Sequence, residues 1–329
     1  MTRLAAVFIA IISATPVLVS GRTSHCAALT IDLRTFGFPD FSKVQHTSDY
    51  TSLAFLSDDL LLVDINERVW GHSAEPLETD QPPSRFLVID VNQGKIVKTT
   101  EHPVDKSGGS VKATNSDEFV LLDRAGLHVC NASLSCGRPL ATQGPVRVLP
   151  GGFKLLVGGN GQTEVELLDA TTLHVLNRPA PQQLKVDFMR GGILFDGREL
   201  ISDSATAETG GGDVREMPIQ TADGRTLYQV PVTAQYQVRL FANRSGSRFC
   251  VLEESYTRWN RVVNSWDIDS GRPHNFARVR VFDTNSGREL FEVKWDPRPS
   301  QIVPSLALSP NGHRLALIRH SELEVFDIP

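Results

Sequence analysis

The sequence predicts an all-β chain built from a repeated unit, and three observations predict it. Short runs of four to seven residues rich in Val, Leu, Ile and Phe recur along the whole length, separated by Gly, Asp, Asn, Ser and Pro. Helical periodicity is nearly absent beyond the first twenty residues. One element then repeats: a strand ending in Asp, a turn with Gly, and a second strand. It reads FLVIDVNQGKIV at 86–97, VELLDATTLHVL at 165–176 and VRVFDTNSGREL at 279–290.

The physics of that element is local. An Asp at a strand end accepts from backbone N–H groups two residues on, and Gly supplies the positive φ of the turn. IQTADGRTLYQV (219–230) is a weaker copy, LHVCNASLSCGRPL (127–140) fits the same slot, and LEVFDIP repeats the first half. Turns starting at Asp90, Asn131, Asp169, Asp223, Asp283 and Asp327 give spacings of 41, 38, 54, 60 and 44 residues. A period of about 40 residues with four strands per unit is that of a β-propeller blade.

A second series of turns sets the phase. LSDD (56–59), TNSDE (114–118), LPGG (149–152), FDGR (195–198), NRSGS (243–247) and SPNG (309–312) each precede an apolar run. They are read as the turns between strands A and B, with the Asp–Gly series between C and D. Six four-stranded blades follow. The last has SLAL, RLALI and ELEVFD as A, B and C and lacks a fourth strand. ALTIDLRTF (28–36) is expected to supply it and close the ring, removing an open sheet edge. A seventh blade is the alternative, hidden in QLKVDFMRGGILF (183–195) or VVNSWDIDSGRPHNF (262–276).

SLALSPNGHRLALI, ELEVFDIP and VRVFDTNSGREL resemble blades of WD40/YVTN-type β-propellers of bacterial exported proteins, and the resemblance spans 28–329. The chain departs from the WD40 pattern in lacking regular Gly-His and Trp-Asp pairs; its one such pair, Trp266-Asp267, falls in a loop region. The resemblance implies the fold. It implies no activity, because propellers host enzymes, scaffolds and receptors alike.

The N-terminus reads as an export signal. Arg3 is the basic n-region, Leu4 to Ala14 the apolar h-region, and small residues follow Pro16. Residues 1–28 are therefore expected to be removed, with cleavage between 20 and 28, leaving 29–329 as one propeller that is secreted or periplasmic and carries no membrane span. Thr23-Ser24-His25 is too polar for a lipid-attachment box before Cys26. Four cysteines suit an exported chain. Cys130 and Cys136 flank NASLS and are expected to staple a hairpin, because opposed hairpin residues lie within disulfide reach. Cys250 lies in a strand-like run and is read as a buried thiol, with pairing to Cys26 open only if cleavage spares Cys26.

The formal charge is −5 over 329 residues. Residues 1–28 hold two arginines and no acid, so the processed chain is more acidic still. Such a balance does not neutralise phosphates, which argues against nucleic acid. Catalytic signatures are missing: no G-x-S-x-G, H-E-x-x-H, G-x-G-x-x-G or G-K-[ST] occurs, and nine histidines lie without metal-ligand spacing. His128 and His174 are read as satisfied strand residues. No catalytic residue, metal or cofactor is assigned. Asn131-Ala-Ser and Asn243-Arg-Ser are N-glycosylation sequons, relevant only in a eukaryotic secretory path.

Function is expected in the long B–C connections. NERVWGHSAEPLETDQPPSR (66–85), DSATAETGGGD (203–213) and SYTRWNRVVNSWDIDSGRPHNFA (255–277) occupy the same slot of three blades, and so one face of a ring. The acids Asp203, Glu208 and Asp213 match no calcium motif and are read as a solvated loop. Tyr256, Arg258, Trp259, Arg261 and Trp266 are the residue types of binding hot spots, and Trp70 and His72 join them from the first blade. The competing reading buries Trp259 and Trp266 between blades. The expected function is a monomeric, non-enzymatic binding propeller for a protein or glycan. The alternative is a propeller enzyme or quinoprotein-like subunit with its site in the central channel.

Overall fold

In a computed structural model the described residues are 26–37, 51–65, 84–102, 111–115, 118–123, 125–142, 146–148, 154–158, 165–170, 172–178, 190–195, 198–203, 215–221, 223–232, 237–255, 276–295, 305–319 and 321–329. They form six antiparallel sheets.

Sheet 1 is β2 (Thr51–Phe55), β3 (Leu60–Ile65), β4 (Ser84–Asp90) and β5 (Lys95–His102). Sheet 2 is β6 (Val111–Asn115), β7 (Glu118–Asp123) and β8 (Gly126–Asn131). Sheet 3 is β9 (Val146–Val148), β10 (Lys154–Gly158), β11 (Val165–Asp169) and β12 (Val175–Asn177). Sheet 4 is β13 (Arg190–Phe195), β14 (Arg198–Asp203), β15 (Arg215–Thr221) and β16 (Thr226–Val232). Sheet 5 is β17 (Gln237–Ala242), β18 (Arg248–Ser255), β19 (Phe276–Asp283) and β20 (Glu289–Trp295). Sheet 6 is β21 (Leu306–Leu308), β22 (Arg314–Arg319) and β23 (Glu322–Asp327), with β1 (Leu29–Asp32) as its fourth strand.

The fourth strand of sheet 6 comes from the other end of the chain. β1 runs antiparallel to β23, Leu29 opposite Val325 and Asp32 opposite Glu322. The strand is shorter than its apolar pattern indicates. It ends at Asp32, whose carboxylate accepts from the Arg34 N–H at 3.0 Å and starts a 3-10 turn over Leu33–Phe36. Gly37, at φ +85°, closes that turn.

The first strands of neighbouring sheets lie side by side at five junctions. β13 lies beside β17, β17 beside β21, β21 beside β2, β2 beside β6, and β6 beside β9. This is the arrangement of propeller blades. The core lies between the sheets and not within any one of them. Phe55, Leu61, Val63, Ile65, Leu87 and Ile89 of sheet 1 meet Ala316, Ile318, Leu323 and Val325 of sheet 6. Cys250, Val279 and Phe291 of sheet 5 meet Leu315, Leu317 and Phe326 across the other face of sheet 6. Alternation along β3 sends Leu61, Val63 and Ile65 one way and Leu62 toward Phe119 and Leu121 of sheet 2. A middle strand buried on both faces reads as a continuous apolar run, which is why these strands stand out in the sequence.

The Asp-ended turns form as the sequence indicates. Asp90 Oδ1 accepts from Asn92 N and Gln93 N at 2.9 and 3.0 Å, Asp169 Oδ1 from Thr172 N at 2.8 Å, and Asp283 Oδ1 from Ser286 N at 2.8 Å. Sheet 2 differs from the expected four strands. Its last segment makes only isolated bridges, Leu127 with Leu140 and Cys130 with Cys136. The tight Asn131–Leu134 turn and Pro139, which has no N–H to offer, leave too few bonds for a ladder. The Cys130–Cys136 disulfide itself is present. Cys26 is exposed and Cys250 buried in β18, both as free thiols. Of the segments proposed to hide another blade, Arg190–Phe195 is β13 of sheet 4; 183–189 and 262–275 lie outside the described residues.

Candidate functional site at the long-connection end of the sheets

The long connections leave from equivalent places. Segments 66–83, 204–214 and 256–275 join the second strand to the third in sheets 1, 4 and 5. The turns opposite them identify the common direction. Arg248 Nη1, at the start of β18, donates to Gly312 O in the β21–β22 turn at 3.1 Å. Arg314, at the start of β22, reaches the β2–β3 turn of sheet 1. Tyr228 Oη of sheet 4 donates to Thr284 O in the β19–β20 turn at 2.7 Å, and Lys98 Nζ of sheet 1 donates to Ser133 O after β8. Short turns therefore meet short turns across sheets 4, 5, 6, 1 and 2, and the strand ends that carry the three long connections are the opposite ends of those strands.

The candidate binding residues Trp70, His72, Tyr256, Arg258, Trp259, Arg261 and Trp266 lie outside the described residues. So do Glu208 and Asp213. The strand ends that carry these connections are described, and they hold a feature the sequence reading missed.

At the long-connection end of sheet 5, Glu253 is fully buried between two arginines. Arg278 Nη2 donates to Glu253 Oε2 at 2.7 Å and Arg280 Nε to Oε1 at 2.9 Å. Arg280 also donates to Pro231 O in the last strand of sheet 4, and its guanidinium lies 5.1 Å from the centre of the Phe282 ring. Glu289 adds a longer contact to Arg280 at 3.4 Å. The register explains the meeting: Glu253 faces Arg278 directly, and Arg280 is two residues further along β19 on the same side.

Sheet 6 repeats the device with the charges exchanged. Arg319 faces Glu322, and Glu324, two residues on, takes the place of Arg280. Arg319 donates to both Glu324 oxygens, the Nη2–Oε1 bond being 2.7 Å, and lies 5.8 Å from the Trp295 ring that ends sheet 5. Sheet 1 has Ile65 and Leu87 at the same positions, packed against Leu33. Three successive units thus fill one site against the preceding sheet with Glu–Arg, Arg–Glu and Ile–Leu. Charged residues inside otherwise apolar strands, RFCVLEES and FARVRVFD, were the available signal.

His128 is held between Asp123 Oδ2 at 3.0 Å from Nε2 and Gly137 O at 3.0 Å from Nδ1, in the interior of sheet 2. His174 is an exposed turn residue. Among the described residues no group of three or more His, Cys, Asp or Glu side chains converges, and no helix is long and apolar enough to cross a membrane.

No protein-family profile and no curated protein matches the chain. Solved structures that resemble it include the Cps50 (Swd1) beta-propeller domain of Myceliophteria thermophila, 10% identical, covering 86% of this chain and 98% of that one at a TM-score of 0.39. Hsv2 of Kluyveromyces lactis is 14% identical over 84% of this chain and 74% of its own, at 0.35. Hydrazine synthase of Kuenenia stuttgartiensis is 12% identical over 84% and 74%, at 0.36. Likenesses of this order bear on neither partner nor activity.

Proposed function

We propose that the chain is an exported, monomeric six-bladed propeller that binds a protein or glycan through its long-connection end and performs no catalysis. The single observation that carries the reading is that three enlarged connections join the same strand ends in sheets 1, 4 and 5, opposite an end made of short, mutually locked turns. Enlarged loops on a rigid frame are where recognition residues accumulate. Trp259 and Arg261, with Tyr256, Arg258, Trp266, Trp70 and His72, are the proposed contacts, because aromatic and guanidinium groups give the largest contact energy per residue.

Two further observations support export and closure. The Cys130–Cys136 disulfide is the kind of bond an oxidising compartment maintains. β1 occupies the edge of sheet 6 that a ring requires. Ala28 N donates to Val325 O at 2.8 Å and Ala27 packs against the sheet 5–sheet 6 core, contacts that continue the β1 seam on its N-terminal side.

The test compares the wild-type chain with Trp259→Ala and Arg261→Ala in partner capture from the extracellular fraction and on a glycan array. The expected result is loss of a captured partner or glycan by at least tenfold, with Lys98→Ala at the short-turn end unaffected. Equal binding by all variants would sink the reading.

A further inference from the structure

The two N-x-S sequons have opposite fates in the fold, and we propose that Asn131 is an N-glycan acceptor whereas Asn243 is a structural lock that carries no sugar. Asn131 is exposed at the end of β8, in the turn before the isolated bridges of sheet 2. Its Oδ1 accepts from Ser133 N and Ser135 N, both at 3.0 Å, and from Ser133 Oγ at 2.6 Å. Backbone N–H groups can only donate, so they fix which side-chain atom is the oxygen. Nδ2, the atom that would be glycosylated, is thereby turned away from the turn and has no partner among the described residues. Ser133, the sequon hydroxyl, stands against the same amide group.

Asn243 is the reverse case. It is 4% exposed. Its Oδ1 accepts from Arg248 N at 2.9 Å. Its Nδ2 donates to Pro310 O in sheet 6 at 2.9 Å and faces the Ser245 and Ser247 hydroxyls at 3.1 Å each. A sugar on that nitrogen would open the tie between sheets 5 and 6 and displace the turn.

The ligand class is an oligosaccharide delivered as a polyprenyl pyrophosphate by an oligosaccharyltransferase. In the transfer, the sugar C1–O bond to pyrophosphate breaks, a C1–N bond to Asn131 Nδ2 forms, and one Nδ2 proton is lost to base; no oxidation state changes. The site lies among the short turns, at the end away from the long connections. A glycan there leaves the proposed binding end clear and marks the short-turn end of sheet 2 as uncovered in the mature protein.

The inference rests on the export reading taken through a eukaryotic secretory path, and the experiment separates inference from export. The full chain is translated with endoplasmic-reticulum microsomes, both with its own N-terminus and behind an added cleavable leader, and all protease-protected protein is site-mapped after glycosidase treatment. One glycan, on Asn131, is expected. It should be lost in Asn131→Asp, which keeps the turn acceptor, and in Ser133→Ala, and retained in Asn243→Gln. Glycosylation only behind the added leader would refute export and leave the inference standing. Protected protein without sugar, or with sugar on Asn243, overturns it. So does a glycan that appears only in a Cys130→Ser, Cys136→Ser variant, because the native disulfide loop would then be shielding the site.

Discussion

Arg314 and Asp59 are 255 positions apart in the chain and 3.0 Å apart in space. The same guanidinium donates to Asp58 O at 2.9 Å and to Asn92 Oδ1 at 2.6 Å, so one side chain ties sheet 6 to two turns of sheet 1. Arg248 stands at the corresponding place in sheet 5 and reaches forward to sheet 6 in the same way. Removing Arg314 should loosen the junction where the two chain ends meet. Arg314→Ala is expected to cost about 1–2 kcal/mol in urea unfolding, since the bonds are charge-assisted but partly exposed. Arg314→Lys should recover little, because a single ammonium nitrogen cannot stand at once where Nη1 meets Asp58 and Asp59 and where Nη2 meets Asn92.

Glu253 and Arg280 make the sharper test. Glu253→Gln leaves two guanidinium groups without their buried counter-charge and is expected to destabilise by about 3–5 kcal/mol. Glu253→Ile with Arg280→Leu reproduces the pair that sheet 1 uses at Ile65 and Leu87. That double variant is expected to unfold within about 1 kcal/mol of wild type, or later, because an apolar replacement removes the desolvation cost along with the attraction. A double variant as unstable as the single change would show that the charges do more than fill space.

Tyr228 gives a pH dependence. Burial, and then the Asp283 carboxylate, push its phenol above its ordinary value. A raised pKa means that the folded state holds the proton more tightly than the unfolded chain does. The contribution is therefore full below the ordinary tyrosine value of about 10 and declines as pH rises beyond it. Unfolding curves from pH 8 to 11 should show wild type losing stability over the upper part of that window, with Tyr228→Phe flatter. At pH 7 the variant should be less stable by about 1 kcal/mol, the worth of the Thr284 hydrogen bond.

Thiol titration reads the chain start. Burial raises the Cys250 thiol, so it should stay unreactive toward a disulfide reagent until the protein unfolds, whereas Cys26 is exposed. A chain retaining Cys26 should show one reactive thiol when native and two in denaturant. A chain cleaved after Cys26 should show none and one. Native labelling of Cys250 would contradict the packing of β18.

What was legible in the sequence was what is local. Asp90, Asp169 and Asp283 announce their turns because each bonds to N–H groups two or three residues away. β1 could be placed because sheet 6 lacked a strand and one apolar run remained. The premature end of that strand at Asp32 was hidden, since its carboxylate suits a strand-end turn and a 3-10 start equally. That the segment after β8 forms only isolated bridges and no fourth strand was hidden behind the Cys130–Cys136 spacing, which fixes a disulfide but says nothing about ladder bonds. The Glu253–Arg280 contact joins residues 27 apart across a long connection, and its charge-reversed counterpart in sheet 6 appears only once register is known. Asn243 looked like a modification signal and serves instead as a turn lock, a difference set entirely by burial.

The pairing of β1 with β23 also has a consequence in time. A ribosome releases Leu29 nearly 300 residues before Val325, so the seam joins two stretches made at very different times. Until β23 has been made, β1 has no edge of sheet 6 to dock on, and bringing such distant stretches together carries the loop-closure entropy that slows folding.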